Sequence, residues 1–220
     1  MFNVINKYMV VLLIVPILSK IYVDDVVNES QLYQSLTTVQ SPSNIDENLA
    51  GYIRQGDRIY IGKVACTIGY IDRENHHAYL AGHCVQKEGE KAYNESWEEI
   101  GEVIKDNLLD HNKKYWTESG DTAVIQIDNK WSVENTFSGD EIVDQKDVHR
   151  WQKVCSYGAT TREVYCGRIK KSEEGFFMFN LKGHPQGGDS GGPIWSPDRG
   201  LVGILSGVEN GVHTASMIDI

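Results

Sequence analysis

The chain has 220 residues, 40% of them hydrophobic and 24% charged, a composition that supports a packed core and excludes global disorder. It carries 21 Lys and Arg against 31 Asp and Glu, a formal net charge of −10. That acidity argues against nucleic acid as a partner, because such affinity rests on basic side chains. No internal repeat is visible, which excludes solenoids and propellers, and no apolar run reaches the ~18 residues of a membrane-spanning helix.

At the amino end Lys7 precedes residues 8–19 (YMVVLLIVPILS), which are apolar up to the last. A positive segment followed by a short apolar one predicts an export signal over residues 1–19 and a secreted protein. The alternative is an uncleaved membrane tether through the same residues, facing outside. Ile17-Leu18-Ser19 is a poor cleavage motif, and Pro16 disfavours a stable spanning helix. Residues 20–52 show no helical or strand period and carry five acids, so they read as a linker or short pro-segment. Residues 53–220 hold 19 basic against 26 acidic side chains and form the expected folded domain.

Four cysteines allow three pairings. Cys66 and Cys84 bracket a predicted hairpin, residues 59–70 returning through 77–81, and Cys155 and Cys166 bracket a second short loop. Local pairs, Cys66–Cys84 and Cys155–Cys166, are therefore expected in an exported chain. The rival is a metal site drawn from Cys66, Cys84, His76, His77 and His83. No C-x-x-C or H-x-x-x-H spacing supports it, so neither a metal nor a cofactor is expected.

From Ile53 onward short runs of Val, Ile and Tyr lie between turn residues. Strands are predicted over 58–61, 65–71, 78–81, 122–127, 152–156, 167–170, 175–180, 192–195 and 201–205, a spacing that suits an all-β sandwich or barrel. One segment is ambiguous. Ser96-Trp97-Glu98-Glu99 has the form of a capping box, and Ile100, Val103, Ile104 and Leu108 follow at helical spacing. Gly101 weakens that helix, and residues 100–103 also alternate as a strand does.

Gly188-Asp189-Ser190-Gly191-Gly192-Pro193 carries the strongest chemical signal. A nucleophilic serine needs its Oγ exposed on a tight turn, with backbone N–H groups aimed at the developing oxyanion. Glycines on both sides permit that backbone. The base is supplied by Ala81-Gly82-His83-Cys84 at the end of a predicted strand. Asp121, just before the apolar run Thr122-Ala123-Val124-Ile125, supplies a carboxylate to orient it. The order His83, Asp121, Ser190 is one of the convergent orders of the serine triad.

These three motifs resemble the chymotrypsin family of serine proteases, most closely its bacterial streptogrisin-like branch. Residues 53–60 look like the mature amino terminus of those enzymes, and 65–70 like their first cysteine strand. Residues 154–161, with Cys166-Gly167, are similar to a signature loop of the second barrel, and 201–207 to the strand that lies beside bound peptide. The resemblance implies two antiparallel six-stranded β-barrels, about 53–129 and 130–220, with the active site in the cleft between them. It turns the ambiguous segment into a strand. It also implies a monomeric endopeptidase acting on peptide or protein through an acyl-enzyme. His83, Asp121 and Ser190 are its catalytic residues, and the N–H groups of Gly188 and Ser190 form its oxyanion hole. Ser206, Gly207, Val208 and His184 would line the substrate site, with Ser206 hydrogen-bonded to Asp121. A catalytically inactive binding module on the same fold is the alternative.

Three departures stand out. No cysteine pair braces the loop 181–186. The branch places an arginine just before the Gly158 position to pair with the buried acid beside the nucleophile, but Ser156 and Tyr157 are there. Asp189 then needs another partner, for which an Ile53 ammonium freed by cleavage or Arg162 are the candidates. Val208 stands where glycine is common, which predicts small to medium apolar residues on the acyl side of the cut.

Overall fold

A computed structural model describes residues 51–108, 120–209, 211–218 and 220. The predicted export signal and most of the predicted linker lie outside the described residues. The first half contributes β1 (Gly51–Arg54), β2 (Arg58–Ile61), β3 (Val64–Thr67), β4 (Tyr70–Asp72), β5 (His77–Leu80), β6 (Lys91–Tyr93), β7 (Glu99–Asp106), β8 (Ala123–Ile127) and β9 (Trp131–Glu134). The second contributes β10 (Lys153–Tyr157), β11 (Val164–Glu173), β12 (Phe176–Leu181), β13 (Pro193–Ser196), β14 (Gly200–Glu209) and β15 (Val212–Ser216).

The all-β class holds. Strands β10-β11-β12-β15-β14-β13 close into one antiparallel six-stranded barrel. The first half differs from the expected second barrel: it is a curled seven-stranded sheet ordered β3-β2-β6-β7-β8-β5-β4. Residues 65–71, expected as one strand, break at Ile68–Gly69. There the Ile68 amide donates to Asp57 O (3.0 Å) and the Gly69 amide to Tyr79 O (2.9 Å). A Cβ on Gly69 would lie 2.2 Å from Ile204 Cγ2 and 2.3 Å from Gly191 O, so only glycine permits this approach to the second barrel. The break makes β3 and β4 the two edges of the sheet.

Residues 99–106 are the strand β7, paired with β6 on one side and β8 on the other. Ile100 and Val103 are buried, which the sheet explains as well as a helix would. The deciding residue is Gly101. Its Cβ would fall 1.9 Å from Gln126 O, a backbone approach that a larger side chain would block. The four cysteines form the two local pairs expected, Cys66–Cys84 and Cys155–Cys166.

Each half has its own core. Ile59, Ile68, Leu80, Ile125 and Trp131 fill the first, and Val154, Ile169, Phe177, Phe179 and Ile194 the second. Tyr70, Tyr79 and Val124 pack with Leu201, Ile204 and Ile218 to join them. Gln55, only 1% exposed, ties the connector after β9 to the first sheet. Its Nε2 donates to Gly69 O and Ser138 Oγ, both at 2.8 Å, and its Oε1 accepts from the amides of Phe137 (2.8 Å) and Ser138 (2.9 Å). The side-chain amide therefore uses its full hydrogen-bonding capacity. Gln55→Leu would strand two amides and a carbonyl, and is expected to cost about 3 kcal/mol in urea denaturation. A loss below about 1 kcal/mol would contradict this clasp.

Candidate active site

His83 sits in a single 3-10 turn, Gly82–Cys84, directly after β5. The Cys66–Cys84 disulfide fixes one end of that turn to β3. Gly82 lets the turn press on the chain beside Asp121, since its Cβ would lie 3.1 Å from both Thr122 N and Thr122 O. Asp121 is fully buried and accepts twice from His83. The His83 backbone amide donates to Oδ1 at 2.9 Å, and Nδ1 lies 3.0 Å from Oδ2 and 3.2 Å from Oδ1. A carboxylate only accepts, so Nδ1 carries its hydrogen and Nε2 is the basic nitrogen of the neutral ring. The imidazole is thus held in the tautomer that general-base chemistry needs.

Ser190 lies in the loop before β13. Its carbonyl accepts from the Thr67 amide at 2.9 Å. Gly191 has φ +84°, and a Cβ there would fall 2.5 Å from Thr67 O and 3.0 Å from Ala81 N, two residues before His83. Thr67 Oγ1 donates to Gly188 O at 2.8 Å and accepts from the Ala159 amide at 3.0 Å. The serine loop is therefore clamped between the first sheet and the loop after β10. Thr67 and Thr160 were not singled out by sequence reasoning, because their partners lie far away in the chain.

Asp189 is 1% exposed, but its partners are neither of those expected. Oδ1 accepts from the amides of Thr160 (2.8 Å) and Thr161 (3.0 Å), and Oδ2 from the Gln186 amide (2.8 Å). Three backbone donors satisfy the carboxylate in place of a cation. Arg162 instead pairs with Glu95 at 2.9 Å, and Ile53 is buried in β1, whose partner is β9. Gly158 makes this possible, because a Cβ there would lie 2.2 Å from Asp189 Cγ.

The residues expected to line a substrate site fall in two groups. Ser206 is buried beside the serine loop, whose Gly191 amide donates to Leu205 O at 2.8 Å. Its hydroxyl bonds Ser216 Oγ at 3.0 Å and not Asp121, which accepts from His83. A bulge between Leu205 and Gly207 rotates Ser206 to that side. Gly207 is half-buried, and Val208 and His184 are exposed. Val208 faces His213 across the β14–β15 ladder. A groove of about 780 Å³ lies elsewhere, lined by Tyr79, Thr122, Val124, Met217 and Ile218, and includes none of His83, Asp121 and Ser190.

No family model matches the sequence. Two curated proteins do: "Uncharacterized protein Rv1815" of Mycobacterium tuberculosis (strain ATCC 25618 / H37Rv) and "Uncharacterized protein MT1863" of Mycobacterium tuberculosis (strain CDC 1551 / Oshkosh). Each is 30% identical over 169 residues, covering 68% of this chain and 71% of the relative.

His213 gives the site region a pH signature. Burial pushes its imidazole below the ordinary value of 6.5; a hydrogen bond to the Phe179 backbone opposes this, and the nearby His184 adds to it. Below 6.5 the unfolded chain takes a proton that the fold refuses, so stability is complete above that value and falls as pH drops through it. Between about pH 7 and about pH 5 the wild type should lose more denaturation free energy than His213→Gln. Parallel pH profiles for the two proteins would overturn this assignment.

Proposed function

The chain belongs to the family of the mycobacterial proteins Rv1815 and MT1863, and within it we propose that this member is an exported serine endopeptidase. One observation carries the reading: a buried Asp121 holds the His83 ring by Nδ1 beside the glycine-rich loop of Ser190. In this mechanism Ser190 Oγ attacks the scissile carbonyl and His83 Nε2 takes its proton. The imidazolium formed is stabilised by Asp121, and the proton then passes to the leaving amine. Water hydrolyses the acyl-enzyme by the same route in reverse roles.

The oxyanion donors are the amides of Gly188 and Ser190. The Asp189 carbonyl accepts from the Gly192 amide at 3.0 Å, and in a planar trans peptide this turns the Ser190 N–H the opposite way. Small to medium apolar residues are proposed for the acyl side of the cut, where the branched Val208 stands exposed. Two disulfides suit an oxidising compartment, which supports export.

Ser190→Ala and His83→Ala should each abolish hydrolysis of peptide substrates. Asp121→Asn should keep the fold and lower kcat by about 10⁴-fold, through loss of the tautomer lock. A serine-directed phosphonate should label Ser190 alone, as peptide mapping would locate. Peptidase activity unchanged in Ser190→Ala would end this reading.

A further inference from the structure

The oxyanion hole depends on one peptide bond, between Gly187 and Gly188. That unit is planar and trans, so its C=O and N–H point in opposite directions, and whatever fixes the carbonyl fixes the donor. Thr160 Oγ1 donates to Gly187 O at 3.0 Å. The Gly188 N–H is thereby turned away from Thr160. Thr160 also touches the next two residues. A Cβ on Gly188, which has φ +96°, would lie 2.3 Å from Thr160 Oγ1, and the Thr160 amide donates to Asp189 Oδ1 at 2.8 Å.

A threonine hydroxyl both donates and accepts, so alone it would suit either orientation of that peptide. Arg58 biases the choice. Its Nη2 donates to Thr160 Oγ1 at 3.1 Å and to Ala159 O at 2.8 Å. A guanidinium never accepts, so the hydroxyl proton must go elsewhere, and Gly187 O receives it. In a turned peptide the Gly188 N–H would have only the second lone pair of the hydroxyl oxygen to meet. The hydroxyl proton and the Gly187 carbonyl would then lose each other as partners. Glu95 forms an ion pair with Arg58, Nε to Oε1 at 3.4 Å. Arg58 comes from the first sheet and Thr160 from the second barrel, so the relay crosses between the two halves.

We propose that Thr160, made a donor by Arg58, is the positioning residue that holds the Gly187–Gly188 peptide with its N–H toward the substrate. The proposal rests on the serine endopeptidase reading for its kinetic consequence, but not for its structural one.

The test uses Thr160→Val, which keeps the shape and loses the hydroxyl, and Thr160→Ser, which restores it. Crystal structures of wild type and both variants read the peptide directly. The Gly187 carbonyl should face position 160 in wild type and Thr160→Ser, and be turned or split between two orientations in Thr160→Val. In kinetics, Thr160→Val should lower kcat by about 10- to 100-fold with KM little changed, since one oxyanion donor is worth about 10²–10³. Affinity for a peptide boronate should fall in the same proportion as kcat/KM, and Thr160→Ser should recover to within about threefold of wild type. A merely structural role would instead lower melting temperature and titratable active sites and leave kcat per site intact. An unturned peptide in Thr160→Val, or a wild-type carbonyl facing away from Thr160, overturns the proposal whatever the rates. Wild type with no Ser190-dependent turnover overturns the endopeptidase reading alone, and the crystal comparison still decides the role of Thr160.

Discussion

The serine loop is held by a residue of the other half of the molecule, Thr67. Its amide takes the Ser190 carbonyl and its hydroxyl takes the Gly188 carbonyl, while the Ala159 amide feeds the same hydroxyl. Thr67 follows Cys66, which is bonded to Cys84, which follows His83. His83 in turn donates twice to Asp121. A continuous path of two hydrogen-bonded contacts and one covalent bridge therefore joins all three members of the candidate triad. Buried carbonyls left without donors are costly, so the two halves cannot slide past Thr67 without penalty. Thr67 is thus one point at which the placement of Ser190 relative to His83 is fixed.

Close approaches by glycine make the clamp possible. Gly69, Gly158, Gly188 and Gly191 all sit where a Cβ would collide with the opposing segment, at 2.2–2.5 Å. Three of the four lie at the seam between the halves: Gly69 meets Ile204 and Gly191 O, Gly188 meets Thr160 near Arg58, and Gly191 meets Thr67 O. Gly158 does the same work within the second half, letting the backbone of 158–161 wrap the Asp189 carboxylate. The motif around Ser190 thus has two uses for its glycines. They shape a turn for chemistry, and they admit the backbone groups that brace it.

Much of this is legible in the sequence. The His83, Asp121 and Ser190 motifs are local strings whose chemistry is distinctive, and the cysteine pairs are close in sequence. What failed were statements about partners. The carboxylate of Asp189 was expected to need a cation, because a sequence displays charged side chains and hides backbone amides. Ser206 was expected on Asp121, but a bulge in β14 hands its hydroxyl to Ser216. The break at Ile68–Gly69 was invisible for the same reason, since its cause is a contact with Ile204. Thr67 and Thr160 carry no motif at all. Their roles arise from partners 92 to 123 (190 − 67) and 27 to 102 positions away in the chain.

The way Asp189 is satisfied bears on how the site comes to be formed. A carboxylate that relied on a liberated amino terminus would be unpaired until the chain was cut, and its loop would be free to collapse. Here the amides of Thr160, Thr161 and Gln186 all come from within the second half. Ile53, the residue whose ammonium could have served, is instead an internal member of β1, with Tyr52 and Gly51 before it also in register with β9. The parallel β1–β9 pairing occupies the segment that would otherwise be available to swing toward Asp189. Order in the serine loop therefore follows from folding of residues already in place, with Arg58 and Thr67 reaching across from the first sheet to complete it. In the uncut chain the Asp189 carboxylate is therefore satisfied without a charge from an amino terminus.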